Sequence, residues 1–340
     1  MKNLYETAHL PGTAALPASF IKRRLHSITG LFLVLFLFEH LLVNSQAALF
    51  LGENGIGFVQ AVNSIKALPY LPVIELTLLG VPILLHGYFG IIYLFSAQPN
   101  SRHSDGRSPD LASYSRNHAY TWQRITSLVL VVGLILHVVT MRFLHRPLEV
   151  AVGEKTDYMV KLQMDEGLYT VSSRIGLSLY DQQAIGVREK QLEKESKNFT
   201  AEIEKMNIRK REAGFSVEEE RQLQGDQALK EKEHWLATLK ERVLAPDEVI
   251  GVTDSFGTAE LVMVRDAFKS ISMCVVYTLF VLAASFHAMN GVWTFAIAWG
   301  ITLSERSRKY MRTFSDGLML LVVFFGLAAI WGTYWLNLKS

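Results

Sequence analysis

The chain has 340 residues, half of them apolar, and a formal net charge of +2. A charge so near zero gives no basis for nucleic-acid binding. The single cysteine, Cys274, excludes disulfides, zinc–cysteine clusters and cysteine-ligated iron–sulfur centres within the chain. The apolar residues gather into five blocks, at about 28–50, 71–96, 125–144, 271–299 and 316–337. Each holds about 20 residues or more, enough to cross a hydrocarbon layer of ~30 Å at ~1.5 Å per residue. Lipid offers no partner for an unpaired backbone N–H or C=O, so such blocks are helices. The expected fold class is an all-α integral membrane protein with five transmembrane helices and a hydrophilic insert between the third and fourth.

The first block follows a polar tail of about 25 residues and is long enough to span, so it reads as a span and not as a cleavable signal peptide. The tail ends in Lys22, Arg23 and Arg24, and the span carries Glu39, His40 and Asn44. The loop after it has only Lys66. Glu75 opens the second span, which holds Pro82, a source of a kink, and then His86. Arg102, Arg107 and Arg116 follow in the next loop, with Arg124 at the start of the third span, which contains His137. After the fourth span, with His287, come Arg306, Arg308, Lys309 and Arg312. The distribution of positive charge places the N-terminus in the cytoplasm and the C-terminus outside. Three parts follow: residues 1–145 with three spans, an outer insert at 146–270, and residues 271–340 with two spans.

Between Arg188 and Val243 the insert holds 13 Lys/Arg and 13 Asp/Glu. Leu192, Phe199, Ile203 and Met206, then Leu236, Leu239 and Val243, recur at heptad-like spacing on either side of a break at Gly214. Ser216 followed by Glu219 reads as a capping box for a second helix. The pattern predicts an antiparallel helical hairpin, its balanced charge a solvated face or a surface for a partner.

Four of the ten histidines lie deep in apolar blocks, where an ionisable side chain requires a partner. His40 and His137 lie about 13 and 12 residues into helices that start in the cytoplasm. His86 and His287 lie about 15 residues into helices that run the other way. The four therefore fall into two depth classes, His86 with His287 toward the cytoplasm and His40 with His137 toward the outside, roughly 10 Å apart along the normal. Two imidazoles facing each other across a helix bundle are the ligand set of a six-coordinate haem. Gly90, Gly133 and Gly291 each lie four residues from one of these histidines on the same helix face, where a flat macrocycle needs close approach to backbone. Plain helix packing is the alternative use of such glycines. For the histidines the alternative is a hydrogen-bonding or proton-relay role without haem, as in a transporter.

These residues also resemble a known family, the cytochrome b membrane-anchor subunits of succinate dehydrogenases and fumarate reductases, in their five-helix, two-haem form. The resemblance is carried by Arg23-Arg24-Leu25-His26-Ser27, Phe38-Glu39-His40 with Asn44, Leu85-His86-Gly87-Tyr88-Phe89-Gly90, and Trp122-Gln123-Arg124-Ile125-Thr126. Leu136-His137-Val138 and Phe286-His287-Ala288-Met289-Asn290-Gly291-Val292-Trp293 continue it, and together the motifs cover nearly all of 20–145 and 271–337. The resemblance implies two haems b, the inner ligated by His86 and His287 and the outer by His40 and His137. It implies flavoprotein and iron–sulfur partner subunits at the cytoplasmic face, with menaquinone or another quinone as substrate near the outer haem. The chain would then be the quinone-reactive, electron-carrying subunit of respiratory complex II in a bacterial inner membrane, and not itself the catalyst for succinate. The large insert departs from the short loop the family has there.

Two haems bring four propionates. Arg24, His26, Ser27 and Arg124 are candidates to hold those of the inner haem, and Arg142, with His145, those of the outer. Interfacial anchoring is the alternative use of the arginines. A haem anchor of a different quinone-linked dehydrogenase remains a rival function.

Overall fold

The structure is a computed structural model describing residues 16–49, 53–96, 113, 115–213 and 217–339, side chains excepted at 53, 115, 206–213, 217–223, 338 and 339. The chain opens with α1 (Ala18–Ser45), a short α2 (Ile56–Lys66), α3 (Leu71–Ser96) and α4 (Arg116–Leu144). An insert follows: β1 (Leu148–Val152), β2 (Lys155–Gln163), α5 (Glu166–Ile175), β3 (Ser178–Tyr180), α6 (Gln182–Ala213), α7 (Val217–Glu241), β4 (Glu248–Thr253) and α8 (Phe256–Ala267). The helices α9 (Ile271–Ala298) and α10 (Glu305–Asn337) close the chain.

Five of these helices, α1, α3, α4, α9 and α10, are long and apolar enough to cross a membrane. Leu35, Leu84, Val132, Leu279 and Leu320, one on each, leave 60% or more of their surface exposed. Water penalises such faces and lipid does not, so the chain is a multi-pass membrane protein. Three spans contain a π turn, at Leu76–Gly80, Val138–Leu144 and Ala328–Gly332. In α3 the turn ends just before Pro82, which has no N–H to return to a carbonyl one turn back. The distortion expected at Pro82 is therefore taken up in the preceding turn. In α4 the π turn begins directly after His137.

The insert corrects the all-α expectation. It contains a four-stranded antiparallel sheet of order β1-β2-β4-β3. The β1–β2 turn needs the positive φ of 62° at Gly153. One face, with Val150, Met159, Ile250 and Val252, packs on Ile185, Leu192, Leu236 and Leu239 of the α6–α7 hairpin. The other, with Val160, Leu162 and Val249, packs on Leu168, Ala259 and Val262 of α5 and α8. The hairpin is thus present, but Leu192, Leu236 and Leu239 serve the sheet as well as each other. Val243 lies beyond the end of α7 and is 84% exposed. The Ser216 capping box falls outside the described residues.

Lys232–Glu195 and Lys240–Glu189, at 2.8 and 2.5 Å, link the hairpin's two helices across its exposed side. Leu239, with none of its surface exposed, fastens the hairpin to the sheet. Leu239→Ala is expected to cost roughly 2–5 kcal/mol of the insert's stability, read as earlier proteolysis of the hairpin.

Capping holds the smaller helices. Asp165 accepts from the Leu168 N–H at 2.7 Å to start α5, and Gly176 ends it at φ 69°. Asn63 of α2 accepts from the Gly257 N–H at 2.7 Å and donates to Ser255, the N-cap of α8. On α8, burial pushes the Glu260 carboxyl up to about 7, against the lowering pull of Arg142, Arg146 and Lys66. The fold holds this proton more tightly than the unfolded chain does. Stability from Glu260 is therefore complete below the ordinary carboxylate value and is lost as pH rises toward 7. Glu260→Gln is expected to flatten that slope, at most roughly 3 kcal/mol, in thermal midpoints taken from pH 4 to 8.

Backbone contacts gather the chain into two compact units. The first comprises the described residues within Met1–Leu37, Pro72–Leu128 and Phe286–Met319; the second, those within Phe38–Leu71, Val129–Ser285 and Leu320–Ser340.

Candidate functional site: two pairs of facing histidines

In the first unit, His86 of α3 faces His287 of α9, ring centroids 6.2 Å apart and planes at 80°. Both rings are held from their Nδ1 side. His86 Nδ1 lies 3.0 Å from the His26 carbonyl oxygen, which can only accept, so Nδ1 carries the proton. His287 Nδ1 lies 3.4 Å from Thr126 Oγ1. The Thr126 hydroxyl donates to the Trp122 carbonyl at 2.8 Å, so its oxygen accepts from His287. In both rings this leaves Nε2 with a free lone pair, the tautomer a metal ligand needs. Gln123 fixes the helix beneath His287: its amide donates to the His287 carbonyl at 3.1 Å and accepts from Asn290 at 2.8 Å.

In the second unit, His40 of α1 faces His137 of α4, centroids 5.9 Å apart and planes again at 80°. His137 Nδ1 lies 3.1 Å from the Tyr277 hydroxyl. Phe268 packs edge-on against the Tyr277 ring, centroids 5.3 Å apart. Asn44 donates to the His40 carbonyl on its own helix at 2.8 Å.

The spacing tests directly whether a bis-imidazole metal fits. Two metal–nitrogen bonds of roughly 2 Å, plus roughly 1.1 Å from each nitrogen to its ring centroid, put the centroids roughly 6.2 Å apart when the nitrogens face each other. The observed 6.2 and 5.9 Å match within a few tenths of an ångström. No hydrogen bond joins the two rings of a pair at that separation. The residues present therefore fit a haem iron held between two histidines, twice over.

The flanking glycines differ. A Cβ on Gly291 would meet nothing within 4 Å, and one on Gly90 only His26 Nε2 at 3.8 Å, which leaves both faces open to a flat group. A Cβ on Gly133 would stand 2.5 Å from the Phe280 ring, so that face is already covered by packing. The tightest approach to one of the four histidines, among the described residues, is at a glycine the sequence did not single out. A Cβ on Gly30 would lie 2.8 Å from His86 Cε1 and 3.1 Å from Nδ1.

Arg24 and Ser27 meet at Trp299: the guanidinium lies 4.7 Å from an indole ring centroid, and the indole N–H donates to Ser27 at 3.2 Å. Phe20 covers Arg24 from the other side at 4.8 Å, and Nη1 is buried without a hydrogen-bond partner. A buried donor of this kind suits a carboxylate. The His26 ring stacks on His86, centroids 4.1 Å apart. Arg124 lies 5.9 Å from the Tyr120 ring on its own helix, and Arg142 lies in the second unit within the π turn after His137. The His145 N–H closes that turn on the Thr140 carbonyl at 2.9 Å.

Gln123 and Thr126 stand in a motif without a sequence-level reason for their role. Gly30 and Tyr277 act on histidines of other helices and leave no local signal.

Compared with characterised proteins, 120 residues of the chain are 30% identical to the succinate dehydrogenase cytochrome b558 subunit of Bacillus subtilis (strain 168). The chain is a distant homologue of that subunit. The matched stretch is 35% of this chain and 54% of the relative, so the chain spans about half the length of the curated relative it matches. No family model and no solved structure matches the chain.

Proposed function

We propose that this chain is the membrane-anchor and electron-transfer subunit of a succinate:quinone oxidoreductase, with one b haem between His86 and His287 and another between His40 and His137. The observation that carries the reading is the repetition: two histidine pairs, each at bis-imidazole spacing. The distant homology to a cytochrome b558 subunit supports the partner assignment, flavoprotein and iron–sulfur subunits at the cytoplasmic face and menaquinone or another quinone toward the outside. The haems would supply one-electron chemistry between ferric and ferrous iron. The protein's own part is to present Nε2 from each ring, to keep the His86, His287 and His137 rings oriented through Nδ1, and to exclude water. Arg24 and Ser27 would hold inner propionates, with Arg124 beside them and Arg142 as the outer candidate. The N-terminus and the partner-binding face lie in the cytoplasm, and the insert at 146–270 lies outside. Purifying the tagged chain tests this: the two partner subunits should accompany it, with succinate-dependent reduction of its haem. Haem without those partners would point to a different dehydrogenase.

Tyr277 provides a finer check. With Nε2 on iron, His137 Nδ1–H donates to the Tyr277 oxygen, which makes the imidazole a stronger donor and favours ferric iron. Tyr277→Phe is expected to raise the potential of the outer haem by roughly 20–60 mV, equivalent to roughly 0.5–1.5 kcal/mol, and to leave the inner haem unchanged. A redox titration with both haems resolved reads this directly.

A further inference from the structure

A crevice in the first unit lies between α4, α9 and α10; Asn290, which bonds Gln123 beneath His287, lines one side of it, and among the described residues no histidine lines it. Its volume is about 70 Å³, several times the roughly 10–15 Å³ that one water needs by the same measure. Two cations from different helices share one indole there. Arg116 of α4 and Arg312 of α10 lie 5.6 and 5.8 Å from the Trp293 ring centroid. Two guanidinium groups drawn to one ring repel each other. Among the described residues the only carboxylate lining the crevice is Asp316, whose oxygen lies 4.0 Å from Arg312 Nε, with both side chains more than half exposed. Such a pair is weak, and it leaves one positive charge uncompensated.

Two further donors line the same space without partners. Trp293 Nε1 and Ser315 Oγ are both buried and make no hydrogen bond among the described residues, and Ser315 is only 3% exposed. Leaving a buried N–H and O–H unmatched costs free energy that a ligand oxygen would restore. Two guanidinium groups, an indole N–H and a hydroxyl form a set of donors with net positive charge. A neutral ring would not compensate that charge, and a carboxylate offers two oxygens to four donors. A tetrahedral oxyanion offers enough acceptors for all four.

The Trp293 end of the crevice is turned away from the face that carries His287. At 100° per residue, Trp293 is turned about 120° around α9 from His287, and Trp299, with Arg24 and Ser27, about 120° the other way. Arg116 is the first residue of its span, and Trp293 lies five residues before the end of its own. Tryptophan and arginine at the ends of spans mark the headgroup level of a bilayer.

We propose that this crevice binds a phosphate oxyanion, that of a phospholipid headgroup or free phosphate, between Arg116, Arg312, Trp293 and Ser315. The test is native mass spectrometry of the purified full-length protein in detergent, titrated with dioctanoyl phosphatidylglycerol and separately with dioctanoylglycerol of the same chains. One phosphatidylglycerol is expected to bind, at least tenfold more weakly in R116Q/R312Q and several-fold more weakly in W293F, which keeps the aromatic face. Displacement by millimolar sodium phosphate assigns the site to the free ion; no displacement assigns it to the lipid. Should the double variant fail to fold, W293F and R116Q carry the comparison, with their melting temperatures as control. Equal binding by wild type and variants, or of the two lipids, overturns the proposal. So does loss of bound haem from the arginine variants, which would give these residues to a propionate.

Discussion

If the chain holds the two b haems proposed, a His86→Ala variant is expected to hold one per chain, and His287→Ala to behave in the same way. Each iron in a six-coordinate site takes two of its bonds from the protein, and the facing imidazole cannot reach the place of the one removed. The centroid spacing of 6.2 Å is fixed by the helices and by the His26 and Thr126 bonds, so the remaining ring is not free to compensate. His40 and His137 lie in the other compact unit. The second haem should therefore survive, and the double variant His40→Ala/His86→Ala should have neither. Pyridine haemochrome per mole of chain reads each case. Loss of both haems from either single variant would show that the two pairs do not act as independent sites.

The second large effect is expected at a residue with no side chain. Gly30→Val should weaken binding of the haem proposed at His86 and His287 tenfold or more. A Cβ there would stand 2.8 Å from His86 Cε1, closer than real Cβ atoms approach, so one partner has to move. The His86 ring has little freedom, being held at Nδ1 by the His26 carbonyl at 3.0 Å and stacked on the His26 ring. Moving it changes its spacing to His287; moving α1 instead opens the helix contact. Overpacking of this kind costs roughly 1–3 kcal/mol, enough to lower the affinity of the site tenfold or more. Gly30→Ala should show a smaller loss, and Gly291→Ala, whose Cβ meets nothing within 4 Å, little contact cost from the protein itself. Reduced-minus-oxidised spectra compared across the three variants test the ranking.

The spans and the four histidines were legible because hydropathy and depth are one-dimensional properties. Counting residues from the start of each span sorts His40, His86, His137 and His287 into levels without any knowledge of packing. The sheet was not legible in the same way. Val160, Leu162 and Val249 on one face and Met159, Ile250 and Val252 on the other are all covered, so the strands lack the apolar–polar alternation that identifies a half-buried strand. The heptad-like positions Leu192, Leu236 and Leu239 gave the hairpin but not the surface it lies on, because periodicity shows which face is buried and not against what. Gly30 and Tyr277 illustrate the same limit in the spans. Gly30 matters through a ring 56 residues away, His86, and Tyr277 through one 140 residues away, His137, and neither has a feature of its own to mark it. Glycines beside histidines on one helix are visible in sequence, and Gly133 shows that such a neighbour can be filled by a phenylalanine instead.

The most direct test of the account is the haem content of the purified wild-type chain, measured as pyridine haemochrome against protein mass. Two b haems per chain, both reducible by dithionite and both low-spin, is the predicted result. A folded, intact protein with no haem would contradict it and leave the facing histidines to proton transfer.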